Sequence, residues 1–590
     1  MKQNTLEGRA KTKNCVKRLC FSAVCILLEA AFIIAMITKL NQYAEIINLM
    51  TRLLAGVLVL KLYASDQTSS MKMPWVILIL VFPILGVGLY LLIGLNGGTR
   101  KMRERYDQID RELLPLLPND SECRETLGRK IPKAGNISDY IQKNASYPVY
   151  QNTDVIYYDE AVKGLEAQLA DLAKAEKFIF MEYHAIEDAQ AWHKIQRVLE
   201  DRVKAGVEVR VFYDDMGSIG FINTDFIKKM ENVGIHCRVF NPFTPGLNVF
   251  LNNRDHRKIT VIDGKVGFTG GYNLANEYFN FTHPYGQWKD TGIRLEGEAV
   301  RSLTVTFLEM WNAVSDKDKN DSDFTEFLVQ TDYQAKQTGF IQPYADSPMD
   351  HEQVGEEVYI SMVNKAEKYC WFMTPYLIIT DEMTHALCLA AKRGVDVRII
   401  TPGIPDKKMI YNITRSFYHG LVKHGVRIYE WTPGFCHAKM SVADDCMATC
   451  GTINLDYRSL YHHFENGCFM ADCDAVADIR GQNYYDLKGK SLNGDMKLAV
   501  QYKQYSDQPQ GTILSQDPAP ESMAVYGSEI KLIISAGPEE MAIPDLAGWK
   551  MEHAKAYLEL MGFKVEVMMV QVSDYPKGYV QDTSPAVGEK

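Results

Sequence analysis

The stretches His256-Arg-Lys258-Ile-Thr-Val-Ile-Asp263 and His437-Ala-Lys439-Met-Ser-Val-Ala-Asp444 share one spacing, His-x-Lys-x4-Asp, and lie 181 residues apart. At equal offsets after each stretch come Gly270 or Gly451, and then Asn273 or Asn454. A repeat of this kind predicts one active site built from two halves, in which two imidazoles and two ammonium groups hold an anion.

Each stretch has the pattern of a strand that ends in a tight turn. His256 and Lys258 are two residues apart on a strand-like run, so their side chains are expected on the same face. Asp263-Gly264 has the composition of a hairpin turn. The position of Asp263, and of Asp444 in the second stretch, therefore suggests a scaffolding role in the turn rather than proton transfer.

Composition limits the class of protein. The chain has 590 residues, 46% of them hydrophobic, and a formal net charge of -10. A length of this size predicts about three to five domains. The negative net charge argues against general nucleic-acid binding, which needs a basic surface. Any phosphate site must therefore be local.

The first hundred residues contain three long apolar runs, and we predict a transmembrane anchor over 1–98 with spans at about 19–39, 44–63 and 74–95. A cleaved signal peptide is the competing interpretation of the first run, but a clear cleavage site is lacking and two apolar runs follow. The expected location is the cell membrane, as a multi-pass protein. Basic residues lie on both sides of the anchor, so its orientation stays open.

Two similar α/β blocks follow the anchor. In the first, a strand at 178–183, a helix at 191–204 and a strand at 207–214 succeed one another; in the second, the same order occurs at 369–376, 382–392 and 395–401. Such units predict two α/β/α domains, each with a mainly parallel sheet. The predicted divisions are a juxtamembrane helix and linker at 99–146, domains at 147–315 and 350–490 with a linker at 316–349 between them, and two small α+β units at 501–540 and 541–590.

The two small units carry a repeat of their own. Pro509-Gln-Gly511 and Pro576-Lys-Gly578 match at a separation of 67 residues. The surrounding pattern resembles the PASTA domain, which implies possible contact with the cell wall. We expect the second unit to be truncated. The cysteines around His437 favour a reducing compartment, whereas PASTA-like units usually work outside the cell, and the sequence does not resolve this conflict.

The paired motif indicates phosphoryl transfer without a metal or another cofactor. One histidine would attack phosphorus while the other protonates the leaving alcohol and deprotonates the incoming one. The non-bridging oxygens would be held by Lys258, Lys439, Asn273 and Asn454, with Gly271 and Thr452 beside them. Each histidine also needs an acceptor for its other ring nitrogen. Glu465 is the candidate in the second half and Asp290 the candidate in the first.

These motifs resemble the bacterial cardiolipin synthases of the phospholipase D superfamily. The resemblance rests on the paired His-x-Lys-x4-Asp, on Gly270-Gly-Tyr-Asn, and on Asn454-Leu-Asp-Tyr-Arg-Ser with Phe464-Glu-Asn. It implies that a phosphatidyl group passes from one phosphatidylglycerol to another through a phosphatidyl-histidine, with membrane lipid as partner. The signature residues taken as catalytic are His256, Lys258, Asp263, His437, Lys439 and Asp444.

Two other functions remain open at this point. A hydrolase of the same superfamily would differ only in using water to resolve the intermediate. A membrane-tethered wall-binding protein without activity is suggested by the tail, although two complete motifs argue against it. A zinc site made from Cys446, Cys450 and the pair His462-His463 is disfavoured because no Cys-x2-Cys spacing occurs.

Overall fold

A computed structural model of the chain defines the fold. It describes residues 44–65, 69–91, 99–223, 225–242, 253–314, 320–329, 332–350, 352–484, 502–504, 513–517, 531–535, 543–560, 563–570 and 576–585, with Leu27, Ile34 and Gln508. The predicted span at 19–39 therefore lies outside the described residues, except for Leu27 and Ile34.

Helices and strands alternate along most of the described chain. The helices are α1 (Ala44–Tyr63), α2 (Ser69–Val81), α3 (Pro83–Leu89), α4 (Thr99–Leu113), α5 (Ser121–Lys130), α6 (Pro132–Ala145), α7 (Ala161–Leu172), α8 (Gln190–Lys204), α9 (Asp215–Ser218), α10 (Phe226–Asn232), α11 (Val300–Ala313), α12 (Val354–Lys365), α13 (Asp381–Lys392), α14 (Lys408–Val422), α15 (Tyr457–Tyr461), α16 (Asp474–Tyr484) and α17 (Met551–Leu560).

The strands of the first half are β1 (Thr153–Tyr158), β2 (Phe178–Tyr183), β3 (Glu208–Asp214), β4 (His236–Phe240), β5 (Arg254–Asp255), β6 (Lys258–Ile262), β7 (Val266–Gly270), β8 (Gln287–Lys289) and β9 (Gly292–Gly297). Those of the second half are β10 (Phe340–Asp346), β11 (Tyr369–Met373), β12 (Leu377–Ile378), β13 (Asp396–Pro402), β14 (Arg427–Trp431), β15 (Gly434–Cys436), β16 (Met440–Ala443), β17 (Met447–Gly451), β18 (Leu455–Asp456) and β19 (His463–Ala471). The tail adds β20 (Tyr502–Gln504), β21 (Ile513–Asp517) and β22 (Lys531–Ser535).

The two halves contain main sheets of the same topology. The first sheet has the order β1-β9-β7-β6-β2-β3-β4, and the second has the order β10-β19-β17-β16-β11-β13-β14. Position by position, the strands of one sheet correspond to those of the other. The repeat that the sequence shows in two short motifs therefore extends over the whole sheet, and each motif lies on a central strand, β6 or β16.

The prediction of mainly parallel sheets is wrong. Each sheet has four antiparallel and two parallel pairings, the parallel ones being β2-β3-β4 and β11-β13-β14. The strand-helix-strand units do form parallel pairs, as their crossover helices require. The strands that carry the motifs are joined by tight turns instead, and a hairpin turn makes neighbouring strands antiparallel.

Two segments predicted as linkers are ordered parts of the fold. The linker part of the predicted division 99–146 contains α5 and α6, whose buried residues belong to the main hydrophobic core. The strand β10 falls in the predicted linker 316–349, yet it pairs along its whole length with β19 as the edge of the second sheet. The second sheet therefore includes residues before 350, while the predicted domain boundaries stay predictions.

The N-terminal helices α1, α2 and α3 pack around a small apolar cluster that includes Leu58, Ile79 and Tyr90. The predicted span at 44–63 coincides with α1, whereas the one at 74–95 is divided between α2 and α3 at Phe82. Among the residues that are described, none forms a helix with both the length and the apolar character to span a bilayer.

The tail contains a small sheet of order β20-β22-β21, followed by α17. Leu546, Trp549 and Ala554 form a separate small core there. The ring of Trp549 also lies 4.4 Å from the ring of His283 in the first half. The tail unit is thereby in contact with the loop that leads into β8.

Asp263 and Asp444 occupy equivalent turns at the ends of β6 and β16. The carboxylate of Asp263 accepts hydrogen bonds from the backbone N–H groups of residues 176, 177 and 178 at 2.7–2.9 Å. Asp444 accepts three bonds from residues 367, 368 and 369 in the same way. About seven residues of nearly extended chain, roughly 20 Å, separate each aspartate from its histidine. The carboxylates of Asp263 and Asp444 hold these turns to the chain that leads into the neighbouring strand, and the catalytic assignment of the two aspartates stays a prediction.

We expect Asp263→Ala to lower the free energy of unfolding by about 2 kcal/mol, because three backbone N–H groups lose their acceptor. Activity per folded molecule should stay within about threefold of the unmodified protein, since the side chain is remote from the histidines. Denaturant unfolding with a parallel activity assay measures both effects. Lys265→Ala, in the same turn, is the matched control. A loss of activity beyond about 100-fold with unchanged stability would contradict the scaffolding role.

Candidate active site

The two halves are joined by two short parallel pairings that end at the histidines. Strand β5 pairs with the start of β19 in the register Arg254↔His463 and Asp255↔Phe464. Strand β8 pairs with β15, with Lys289 opposite Cys436 at the end. The next residue on each strand then lies opposite the next residue on its partner. His256 is therefore opposite Glu465, and His437 is opposite Asp290.

The side chains follow this register. Nδ1 of His256 lies 2.9 Å from both carboxylate oxygens of Glu465, and Nδ1 of His437 lies 2.7 Å from Oδ2 of Asp290. Backbone bonds support both contacts: the N–H of His256 donates to Phe464 at 2.9 Å, and that of His437 donates to Lys289 at 2.7 Å.

Both carboxylates were predicted from the sequence, but their assignment to the histidines is corrected. Glu465 was expected to serve the second half and Asp290 the first, whereas each serves the histidine of the other half. A carboxylate only accepts hydrogen bonds, so Nδ1 carries the proton in each neutral histidine. Each Nε2 then has a free lone pair on the side of the ring away from its carboxylate.

The two carboxylates are held in place by further contacts. Glu465 accepts hydrogen bonds from the hydroxyl groups of Thr452 and Ser459. Asp290 accepts one from the N–H of Thr291 at 3.0 Å. A Cβ on Gly271 would lie 2.0 Å from Oδ1 of Asp290, so only glycine leaves room for this carboxylate. Ser459 was not assigned a role from the sequence, although it lies within the motif that begins at Asn454.

Lys258 and Lys439 lie beside the histidines two residues earlier, at or just before the start of β6 and β16. Each ammonium group donates to the backbone carbonyl of its histidine. Nζ of Lys439 is also 2.8 Å from Nδ1 of His437. Both side chains are buried, with about 1% of each residue exposed. Two positive charges are thus held next to the two imidazoles.

Besides the lysines, two asparagines, a glycine and a threonine were predicted at the phosphate site, and they have different surroundings. The side-chain oxygen of Asn273 accepts a hydrogen bond from the backbone N–H of Ala185, and its NH₂ group donates to the hydroxyl of Tyr278. Oδ1 of Asn454 is buried and has no hydrogen-bond partner among the described residues. The N–H of Gly271 donates to a backbone carbonyl, and the hydroxyl of Thr452 donates to Glu465. Gly271 and Thr452 therefore help to position the carboxylates, and the phosphate role of all four residues stays a prediction.

Burial sets the protonation of the site. Burial and Lys258 hold the pKa of His256 well below its usual value, and burial lowers the pKa of His437 to about 4. Burial also lowers the pKa of Lys258 to about 7 and that of Lys439 to about 8. For Asp290 burial acts upward, but His437 and Lys439 outweigh it and keep its pKa below the usual value. Near pH 7 the two imidazoles are therefore neutral and the carboxylate of Asp290 is ionised.

The surroundings of the two histidines differ. His437 is flanked by the rings of Tyr278, Trp288 and Phe435 at 5.3, 5.4 and 5.9 Å. His256 instead has two further histidines beside it, His184 at 5.0 Å and His463 at 5.4 Å between ring centroids. Sequence reasoning did not place His184 or His463 here, because neither belongs to the duplicated pattern.

One group in the described residues could hold a metal ion. It consists of His256, His463 and Glu465, whose ligand atoms lie within 4.8 Å of one another. The carboxylate of Glu465 is already engaged with Thr452, Ser459 and His256, so a cation would have to displace the histidine. Cys446 and Cys450 of the disfavoured zinc site are not part of this group.

A buried arginine within the first motif bonds to the residues around it. Arg257 alternates with His256 and Lys258 along the chain and is fully buried. Its guanidinium donates to the hydroxyl of Tyr106 on α4 at 2.9 Å, to a carbonyl of α11 at 3.1 Å, and to the carbonyl of Glu465 at 3.3 Å. Glu309, which accepts from Tyr106 at 3.0 Å, lies 3.7 Å from the guanidinium.

Known proteins with the same sequence pattern were found by comparison. Residues 169–311 and 359–482 match a family profile described as cardiolipin synthase, PLD-like domain. Residues 53–94 match the phospholipase D-nuclease N-terminal family, and residues 541–590 match the PASTA domain. Both halves that carry the motifs are thus matched, together with residues 53–94 of the N-terminal segment and residues 541–590 of the tail.

Individual relatives agree with these matches. An uncharacterized protein of Streptococcus mutans is 43% identical over 73% of this chain and 92% of its own length. Cardiolipin synthase 2 of Bacillus cereus is 30% identical over 74% of this chain and 84% of its own length. Cardiolipin synthase of Clostridium perfringens is 32% identical over 70% of this chain and 87% of its own length.

These findings define the class of protein as an enzyme of the phospholipase D superfamily, a phosphatidyltransferase. Within that superfamily the chain belongs to the cardiolipin synthase family. The family resemblance predicted from the paired motif and from the PASTA-like tail is confirmed.

We expect Asp290→Asn and Glu465→Gln each to lower kcat by about 10²–10⁴, because an amide can donate to Nδ1 and thereby favour the wrong tautomer. The crossed pairing predicts which histidine responds. The measurement is a ¹⁵N-histidine NMR spectrum of the protein in detergent. Glu465→Gln should shift the ring signals of His256, and Asp290→Asn should shift the ring signals of His437.

The matched control for these two variants is Asp215→Asn, which changes a buried carboxylate on α9 in the same way. It should leave both sets of histidine signals in place. A response of His437 to Glu465→Gln, with His256 unchanged, would contradict the crossed pairing.

Anion binding should weaken as the pH rises. The lowered pKa values of Lys258 and Lys439, about 7 and 8, mean that both ammonium groups lose their protons above this range. Inorganic sulfate keeps a constant charge there and reports only on the protein. We expect its inhibition constant to rise at least about tenfold between about pH 6.5 and about pH 9. An inhibition constant that does not change with pH would show that the lysines do not hold the anion.

Proposed function

We propose that the protein synthesises cardiolipin, by transferring the phosphatidyl group of one phosphatidylglycerol to the primary hydroxyl of a second one and releasing glycerol. The observation that carries this proposal is the pair of buried histidines, each with its Nδ1 on a carboxylate of the opposite half and each followed by a buried lysine. Two relatives described as cardiolipin synthases support the choice of lipid.

The proposed reaction has two displacements at phosphorus. In the first, Nε2 of one histidine attacks phosphorus and the bond to the glycerol oxygen breaks, while the other histidine gives a proton to that oxygen. In the second, the hydroxyl of the acceptor lipid gives its proton back to this histidine and attacks phosphorus, and the phosphorus–nitrogen bond breaks. Atoms and charges balance over the two steps.

The general acid must be protonated when substrate is bound, although burial lowers the pKa of both histidines in the free protein. The bound phosphodiester supplies the missing negative charge next to the imidazoles and favours the protonated form. Lys258 and Lys439 share this charge through the non-bridging oxygens. The carboxylate on each Nδ1 stabilises the imidazolium while it exists.

Exclusion of water distinguishes a transferase from a hydrolase. About 7% of His256 and 6% of His437 is exposed, and three aromatic rings surround His437. A buried intermediate of this kind is reached by few water molecules, which favours attack by an alcohol that the site binds. This burial supports transfer to a second lipid.

We also propose that the N-terminal helices anchor the enzyme in the cell membrane as a multi-pass protein. On α1, Leu53, Val57 and Leu60 are 60%, 61% and 69% exposed and lie on one helix face. An apolar face of this kind is costly in water and is stabilised by lipid. The PASTA domain is compatible with a role in cell-wall contact at the other end of the chain.

Incubation of the full-length protein with phosphatidylglycerol vesicles should yield cardiolipin and glycerol in equal amounts. His256→Ala and His437→Ala should each lower this activity by at least about 10³-fold, because each removes either the nucleophile or the proton carrier. His424→Ala is the matched control, since His424 lies just after α14 and its ring Nδ1 bonds to the carbonyl of Gly420 on that helix. Phosphatidic acid as the sole lipid product would instead identify a hydrolase.

The same variants assign the nucleophile. With phosphatidylglycerol labelled at phosphorus, the variant that keeps the nucleophile should retain an acid-labile label on the protein, and the other should not. Full activity in both variants would contradict the mechanism with two histidines.

A further inference from the structure

His463 is a largely buried histidine whose two ring nitrogens have no hydrogen-bond partner among the described residues, and it lies beside His256 in the active site. About 10% of its side chain is exposed, and neither Nδ1 nor Nε2 is bonded within the part of the chain that the structure describes. Its nearest carboxylate oxygen, Oε1 of Glu465, is 3.6 Å from Nδ1, which is too long for a hydrogen bond. Its ring centroid lies 5.4 Å from that of His256.

The neighbouring His184 packs against the same ring but has a hydrogen-bond partner, so a histidine at this site can be satisfied by the protein itself. Its ring also packs on His256, at 5.0 Å, but its Nδ1 is satisfied by the carbonyl of Asp255 at 2.7 Å. A buried polar group without a partner is costly, and structures rarely keep one unless a ligand or a solvent molecule completes it. His463 is held in this position by the backbone pairing of β19 with β5, the same pairing that places Glu465 on His256.

We propose that His463 binds the headgroup of the lipid substrate, by a hydrogen bond to a hydroxyl of a polyol esterified to the phosphate. This inference rests on the proposed function for the lipid nature of the substrate. A neutral imidazole offers one donor and one acceptor, and a hydroxyl group complements either of them. The non-bridging phosphate oxygens can only accept, and two lysines already serve them.

The position of His463 determines what it recognises. The His463 ring packs beside the rings of His256 and His184, at 5.4 and 6.5 Å between centroids, where it would contact the group carried by the phosphate. Headgroups with a free hydroxyl, such as glycerol, gain this hydrogen bond. Headgroups without one leave His463 unpaired, and a site built in this way selects against them.

The test is competition between two donor lipids in mixed micelles, phosphatidylglycerol and phosphatidylmethanol. The methyl ester has no headgroup hydroxyl but has a leaving alcohol of similar reactivity. Release of labelled glycerol and labelled methanol gives the ratio of the two kcat/KM values. We expect the unmodified enzyme to prefer phosphatidylglycerol by at least about tenfold, and His463→Phe to reduce this preference to about one.

Two further variants separate recognition from structure. His463→Asn keeps a donor and an acceptor and should restore a preference of at least about threefold. His462→Phe, at the neighbouring position, should keep the full preference. A structural role for His463 would lower both activities by the same factor and leave their ratio unchanged, and this result would overturn the proposal.

The proposed function and this inference fail in different ways. If the unmodified enzyme releases neither alcohol, the proposed function is wrong. If it releases both, and His463→Phe keeps the preference of the unmodified enzyme, the reaction stands and His463 is not a headgroup contact.

Discussion

Two short parallel strand pairings between the halves, β5 with β19 and β8 with β15, are the constraint on which the active site depends. Each pairing ends where a histidine of one half meets a carboxylate of the other. Neither half contains a complete pair, so neither can fix the tautomer of its own histidine. The docking of the two sheets and the assembly of the catalytic groups are therefore one event.

This arrangement also accounts for the charges at the site. Two ammonium groups and two carboxylates are buried next to two neutral imidazoles, and such charges are costly to bury unless they are paired. Glu465 is satisfied by His256, Thr452 and Ser459, and Asp290 by His437 and Thr291. The two carboxylates are thus already hydrogen-bonded. Each lysine ammonium has three donors, of which the described residues engage one or two, so donors remain for the oxygens of a bound phosphodiester.

The sequence predicted the parts of the site that depend on local spacing. The strand with a tight turn and the common face of His256 and Lys258 were predicted from period-two alternation. The two carboxylates were predicted as acidic residues that follow each motif along the chain. The exchange of carboxylates between the halves could not be predicted, because it depends on the register of strands far apart in the chain. The antiparallel part of each sheet was also missed. The strand-helix-strand units are clear in the sequence and predict parallel pairs, but they account for only two of the pairings in each sheet.

The contact between His256 and Glu465 is also fixed from the opposite face of the strand. Arg257 points away from the chemistry, and its guanidinium bonds at once to the carbonyl of Glu465, to α11 and to Tyr106 on α4. A slip of the β5-β19 pairing by one residue would separate the buried guanidinium from the carbonyl of Glu465, one of its three hydrogen-bond partners, and this is costly for a buried charge. Because α4 begins just after the N-terminal helices, the segment nearest to them contributes directly to the register in which the histidine meets its carboxylate.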